Sequence, residues 1–379
     1  MKSQFSPLSK LAVKPGQALL FPVFNKHGIL LAEKGTQLTE EQVEKIINLG
    51  EIYTYNRALL TALVEKEEAS ESNAIMKLAP PFKRLENLEE ILHEIYEKPK
   101  NRINQSKILT IVTRIINICE KSPDASVAKI ITDDNSNYTV KHAIHTAILC
   151  ELSGRYLNWE LEKRRNIISA ALTMNISLGF LQDKLVNQRK PLSIIQKKLI
   201  NEHPENSVEL LKEMGISSHT WLDIVAKHHE AADGSGYPLG LKKDNIPIEA
   251  ALVSLSDVYC AKVTGRNYRE PVFANVAVRD IYLDKEQNIE GSLIEAFVKL
   301  LGIFPPGCIV KLKNGEVGIV TKRGSKVDTP KVLILNNAKN GPLALKILRD
   351  TANSNYAIKS VVASSNKFPD IDYYKVWPH

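Results

Sequence analysis

The residues best suited to chemistry are His228 and His229, side by side and followed by Glu230-Ala231-Ala232-Asp233-Gly234-Ser235-Gly236-Tyr237-Pro238, with Asp257 nineteen residues further on. Adjacent histidines are poor core material. They become good metal ligands where a helix ends beneath them and lets neighbouring side chains converge. Gly234, Gly236 and Pro238 supply such an ending, because the glycines tolerate positive φ and the proline forbids helix continuation. Six of the nine histidines fall between His142 and His229. That clustering favours a metal site over scattered packing histidines.

The elements that must hold these residues read as mostly helical. A chain of 379 residues has room for two or three domains, and 44 % apolar with 25 % charged residues is ordinary soluble composition. No apolar run reaches the roughly 18 residues of a membrane span, and Met1-Lys2-Ser3-Gln4-Phe5 lacks the layout of a secretory signal. Cys119, Cys150, Cys260 and Cys308 lie far apart, as reduced thiols of a cytoplasmic protein do. The formal charge of +7 suits an anionic ligand and equally a solvated lysine surface, so no nucleic-acid or membrane partner is expected.

Residues 1–58 read as a small α+β module, with a hairpin signal at Lys26-His27-Gly28 and a helix opened by a Thr39/Gln42 capping box. Residues 59–115 read as a charged helical linker. Its Leu85, Leu88, Ile91, Leu92, Ile95 stripe is either a homodimer seam or packing within its own domain. Residues 116–302 read as an all-helical domain and 303–379 as a β-rich appendage, where Asn314-Gly315 is a strong hairpin turn.

Four ordered segments resemble the HD-GYP family of bacterial signalling proteins. They are Tyr138-Thr-Val-Lys-His142, Asn201-Glu-His203-Pro204, His228-His229-Glu230 through Pro238, and Ser254-Leu-Ser-Asp257-Val-Tyr-Cys-Ala261 with Arg266-Asn-Tyr-Arg269 behind it. The resemblance implies a mainly α, HD-type fold, a centre of two or three metal ions and hydrolysis of cyclic di-GMP. It marks His142, His203, His228, His229 and Asp257 as metal ligands. Arg266, Arg269 and Tyr237 are marked as substrate contacts, the arginines because a guanidinium fork meets two phosphate oxygens. Arg266 pairing with Asp257 or Glu230 is an equal alternative.

One family segment departs from the pattern. Where the family writes His-Asp-x-Gly-Lys, this chain has Met174-Asn175-Ile176-Ser177-Leu178. A thioether at Met174 suits copper(I) and not iron or manganese. Asn175 keeps the shape of aspartate without the charge that holds two dications roughly 3.5–4 Å apart. Leu178 can neither donate a proton nor neutralise phosphate. Cys260 also stands where the family usually has aspartate. His145, three residues after His142, is a candidate replacement ligand or a packed histidine, and Asp183 reads as a solvated loop residue.

The expectation is therefore a degenerate member holding one divalent transition metal (iron, manganese or zinc), with no two-metal centre. It would act as a cyclic di-GMP receptor or as an interaction module for a diguanylate cyclase or another signalling protein. An active phosphodiesterase with a reduced metal site and a metal-free scaffold are the alternatives.

Overall fold

The computed structural model describes residues 5–8, 13–19, 22–26, 30–33, 35–48, 50–55, 79–101, 104–134, 136–264, 272–283, 290–336, 347–362 and 371–378. The chain divides into two compact units, Met1–Leu78 and Ala79–His379.

In the first unit, β1 (Phe5–Leu8), β2 (Val23–Asn25), β3 (Leu30–Ala32) and β4 (Ile52–Tyr55) form an antiparallel sheet in the order β1-β4-β2-β3. Helix α1 (Glu40–Asn48) opens on the expected capping box, with the Gln42 amide donating to Thr39 Oγ1 and the Thr39 amide donating to Gln42 Oε1. Its Val43 and Ile46 close a small core over Val23 and Ile52.

The second unit is mainly α. Helices α2 (Pro81–Glu97) and α3 (Asn104–Lys121) bury Leu85, Leu88, Leu92 and Ile95 against Ile108, Ile111 and Ile115. The leucine stripe of α2 thus packs within its own unit, which removes the seam reading. Next come α4 (Pro123–Thr132), α5 (Tyr138–Tyr156) and α6 (Leu161–Thr173). They are followed by α7 (Leu181–Asn187), α8 (Ile194–Glu213), α9 (His219–Lys227) and α10 (Ile248–Val263), with α11 (Ala274–Leu283) and α12 (Gly291–Leu301) last. Helix α5 is buried on every side from Tyr138 to Gly154 apart from Lys141, although it carries His142, His145, Thr146, Glu151 and Ser153. It is the axis of the bundle, with α6 and α10 packed along it.

Beyond the helices, β5 (Ile309–Leu312), β6 (Val317–Lys322), β7 (Lys331–Asn336), β8 (Leu348–Asp350) and β9 (Ile358–Val362) form an antiparallel sheet in the order β8-β7-β6-β5-β9. The β5–β6 turn carries Gly315 at φ +90°, as the Asn-Gly pair requires. The last helix, α13 (Tyr373–Val376), brings Trp377 onto Phe82 of α2 at 5.4 Å, and its indole N–H donates to the Thr321 carbonyl of β6. Among the described residues no helix is long and apolar enough to cross a membrane.

Candidate metal centre

Three imidazoles meet where α8 passes the end of α9. His203, His228 and His229 each offer a ring nitrogen within 4.8 Å of the others. His203 lies mid-helix, and Pro204 follows it inside α8. A proline has no N–H, so the carbonyl four residues back, that of Ile200, loses its helical partner. The His203 Nδ1–H donates to that carbonyl at 2.5 Å. His228 solves the same problem at a helix end. It caps α9, where the last carbonyls have no helical donor, and its Nδ1–H donates to Val225 O at 2.7 Å. In both rings backbone irregularity supplies the acceptor that orients the imidazole.

The consequence is electronic. A carbonyl only accepts, so Nδ1 carries the proton in both rings and each Nε2 presents a lone pair. The two Nε2 atoms nevertheless face one another at 3.2 Å. Burial, reinforced by His229, pushes His203 down to about 4 and His228 well below the usual imidazole range, so neither is protonated at neutral pH. Two bare acceptors at this distance repel unless a cation lies between them. Tetrahedral zinc with nitrogens at about 2.0–2.1 Å separates neighbouring ligands by roughly 3.3 Å. The donor set therefore fits a transition metal, with second-partner hydrogen bonds of the kind that fix ligating histidines.

The remaining donors are arranged differently. His142 of α5 and Asp257 of α10 are bound to each other, Nε2 to Oδ1 at 2.5 Å. Burial opposes ionisation of Asp257, yet the His142 hydrogen bond and the neighbouring imidazoles hold its carboxyl well below the usual range. The buried Nδ1 of His142 has no hydrogen-bond partner among the described residues. His145 turns away to Asp133 at 2.8 Å, beside the buried Lys129, which is the packed-histidine alternative. Asp183 is not a solvated loop residue. It lies in α7, and its carboxylate accepts from the Thr139 amide and hydroxyl, capping the start of α5. Forty-four residues separate the two partners, so no local pattern could reveal the cap.

The loop after His229 is held by its own backbone. Gly234 adopts φ +83°. A Cβ on Gly236 would sit 2.3 Å from Ala231 N, so only glycine fits there. Glu230 accepts from the amides of Leu239 and Leu241, both at 2.7 Å, which staples the loop through Pro238 and occupies both carboxylate oxygens. Tyr237 stacks on His229 with ring centres 4.7 Å apart.

Met174, at the end of α6, is fully buried in the hydrophobic core. Asn175 and Leu178 instead line a cavity of about 510 Å³, together with His142, His203, His229, Tyr237 and Asp257. Ser177, between them, donates to the His203 carbonyl at 3.0 Å and accepts from Ser207. This tie of the turn to α8 has no signal in the sequence. Cys260 is fully buried and its thiol is pushed well up, chiefly by burial. Arg266 and Arg269 lie outside the described residues.

The HD domain family model matches residues 125–293. Over 221 residues the chain is 28 % identical to a cyclic di-GMP phosphodiesterase of Pseudomonas aeruginosa, covering 58 % of this chain and 53 % of that one. Over 249 residues it is 24 % identical to a cyclic di-GMP phosphodiesterase of Borreliella burgdorferi, covering 63 % and 65 %. The chain belongs to the HD-GYP family. An HDG"Y"P protein from Bdellovibrio bacteriovorus shares the fold, with a TM-score of 0.51 at 17 % identity over 78 % of this chain and 99 % of that one. This HD-GYP chain therefore spans between half and two thirds of the length of these curated relatives.

Proposed function

We propose that this HD-GYP protein serves bacterial cyclic di-GMP signalling as a nucleotide receptor or protein-interaction module with little or no hydrolysis. It binds one divalent transition metal (iron, manganese or zinc) through His203, His228 and His229. The observation that carries the reading is the approach of the His203 and His228 Nε2 atoms, both with Nδ1 committed to carbonyls. A metal held there would attract phosphate and polarise it.

Several features argue against a second metal and efficient turnover. Met174 buries a thioether in the core, and Asn175 brings no charge to the cavity wall. The Nε2 of His142 and the carboxylate of Asp257 are engaged with each other. Leu178 puts no ammonium at its own place on the wall, where one would steady a leaving alkoxide. Arg266, Arg269 and Tyr237 are proposed to contact the dinucleotide, and a diguanylate cyclase or another signalling protein is the proposed protein partner.

A second reading is a working phosphodiesterase with a single metal. It is favoured by the cavity itself, whose volume falls within the roughly 300–1,000 Å³ of small-molecule sites. A metal-free scaffold is disfavoured by the converging lone pairs. The test is turnover of cyclic di-GMP by the purified chain with manganese or iron present. Activity is expected at least about a hundredfold below a member with an intact His-Asp pair, since one acid–base group alone contributes about 10²–10⁴. Vigorous hydrolysis would replace this reading with the single-metal enzyme. Met174→His, Asn175→Asp and Leu178→Lys together should recover part of the lost activity.

A further inference from the structure

The strap between α7 and α8 carries two cations that no described acid neutralises. Arg189 and Lys190 are exposed, both line the cavity, and neither makes an ion pair with any described residue. Asp257 is the only carboxylate among the described lining residues, and His142 already engages it. Unpaired cations on the wall of a concave site, next to a cluster of metal-ligand type, favour an anion there.

The strap is also braced. Gln188 donates from its amide nitrogen to the carbonyls of Lys190 at 2.9 Å and Pro191 at 3.2 Å. The same side chain exchanges hydrogen bonds with Gln196, at 2.7 and 3.1 Å. Gln196 is itself the capping-box partner of Ser193 at the start of α8. The helix that carries His203 thus fixes the backbone that carries both cations. The backbone under the cationic rim is tied to the helix of His203, and bracing of this kind lowers the ordering cost of binding.

We propose that Arg189 and Lys190 are phosphate-binding residues of this cavity. They bring to the cavity a positive charge that Leu178, lining it too, does not, and Gln188 is the positioning residue that aims them. This inference deepens the proposed reading and depends on it only for the identity of the dinucleotide. The ligand class is an organic phosphodiester or a smaller phosphate seated against the histidine cluster. Arginine supplies the directional fork and lysine a point charge.

Titration calorimetry on the full metal-loaded chain tests this, with cyclic di-GMP and inorganic pyrophosphate as separate probes. Arg189→Ala and Lys190→Ala should each weaken cyclic di-GMP binding roughly three- to tenfold, allowing for the exposure of both groups, and the double variant more. Arg189→Lys should recover part of the loss. Gln188→Ala should weaken binding while both charges remain, a result that a simple charge count would not give. The salt dependence of affinity should flatten in the double variant. Both substitutions are at exposed positions, and unchanged circular dichroism and metal content verify that each variant is folded and loaded.

If the wild type binds cyclic di-GMP and the double variant binds it equally well, the two residues are not phosphate ligands, whatever becomes of the receptor reading. If the wild type ignores cyclic di-GMP but binds pyrophosphate through Arg189 and Lys190, the nucleotide assignment falls and the cationic grip stands. Binding of neither probe overturns the proposal.

Discussion

At the scale of single residues, the site turns on which side chains keep a lone pair or a charge available. His203 and His228 are neutral because burial removes the proton, and each is aimed by a carbonyl that the backbone cannot use. Met174 represents the opposite choice, a side chain withdrawn from the cavity into the core, with no exposed surface. The two residues should respond differently to truncation. His203→Ala should lose the metal with little change in fold, as read by elemental analysis and circular dichroism. Met174→Ala should retain the metal but destabilise the chain by about 2–5 kcal/mol in denaturant unfolding, the usual cost of deleting a buried methionine side chain. Loss of metal from the Met174 variant would put that side chain in the site after all. The residue types were legible in the sequence: paired histidines ahead of a glycine-rich loop, and Met174-Asn175 in place of a His-Asp pair. Their pairings were not. The bonding of His142 to Asp257 joins residues 115 apart, and that of His145 to Asp133 depends on how α4 meets α5.

At the scale of elements, two helix irregularities set the geometry: the proline inside α8 and the end of α9. The first yields a sharp expectation. Pro204→Ala gives α8 an N–H that competes for the Ile200 carbonyl, so the His203 ring loses its sole claim on that acceptor. Metal affinity should fall about ten- to a hundredfold, the usual effect of losing a ligand-orienting partner. Thermal stability should stay level or rise, because alanine is the better helix former. A variant that binds metal as tightly as wild type would remove the proline from the ligand-orienting role. Most of the elements were readable from periodicity and turn chemistry: the capping box at Thr39, the Asn314-Gly315 hairpin and the stripe of α2. The stripe could not reveal its own partner, since an apolar face reads the same whether it meets α3 or a second copy. The braces by Gln188 and Ser177 and the Asp183 cap were invisible for a related reason, because polar side chains carry no period.

At the scale of the whole molecule, the helical bundle brings five elements to one cavity: α5 with His142, the turn after α6 with Asn175 and Leu178, α8 with His203, the end of α9 with His229, and α10 with Asp257. The fold class followed from the sequence because the bundle repeats a family pattern in order and spacing. What the family pattern could not supply is how the cavity balances its charge once Asn175 and Leu178 replace an acid and a base. Among the described residues, the balance is one engaged carboxylate against two free cations and a triad of neutral imidazoles. Such a site has nitrogen donors for one metal and no free carboxylate to hold a second beside it. The most direct test is the metal content of the full chain, purified and then equilibrated with excess iron or manganese before removal of loosely bound ions. The account predicts about one ion per chain, lost on His203→Ala. Two or more tightly held ions per chain would contradict it, and would mean that Asn175 and the His142–Asp257 pair rearrange to build the centre they lack here.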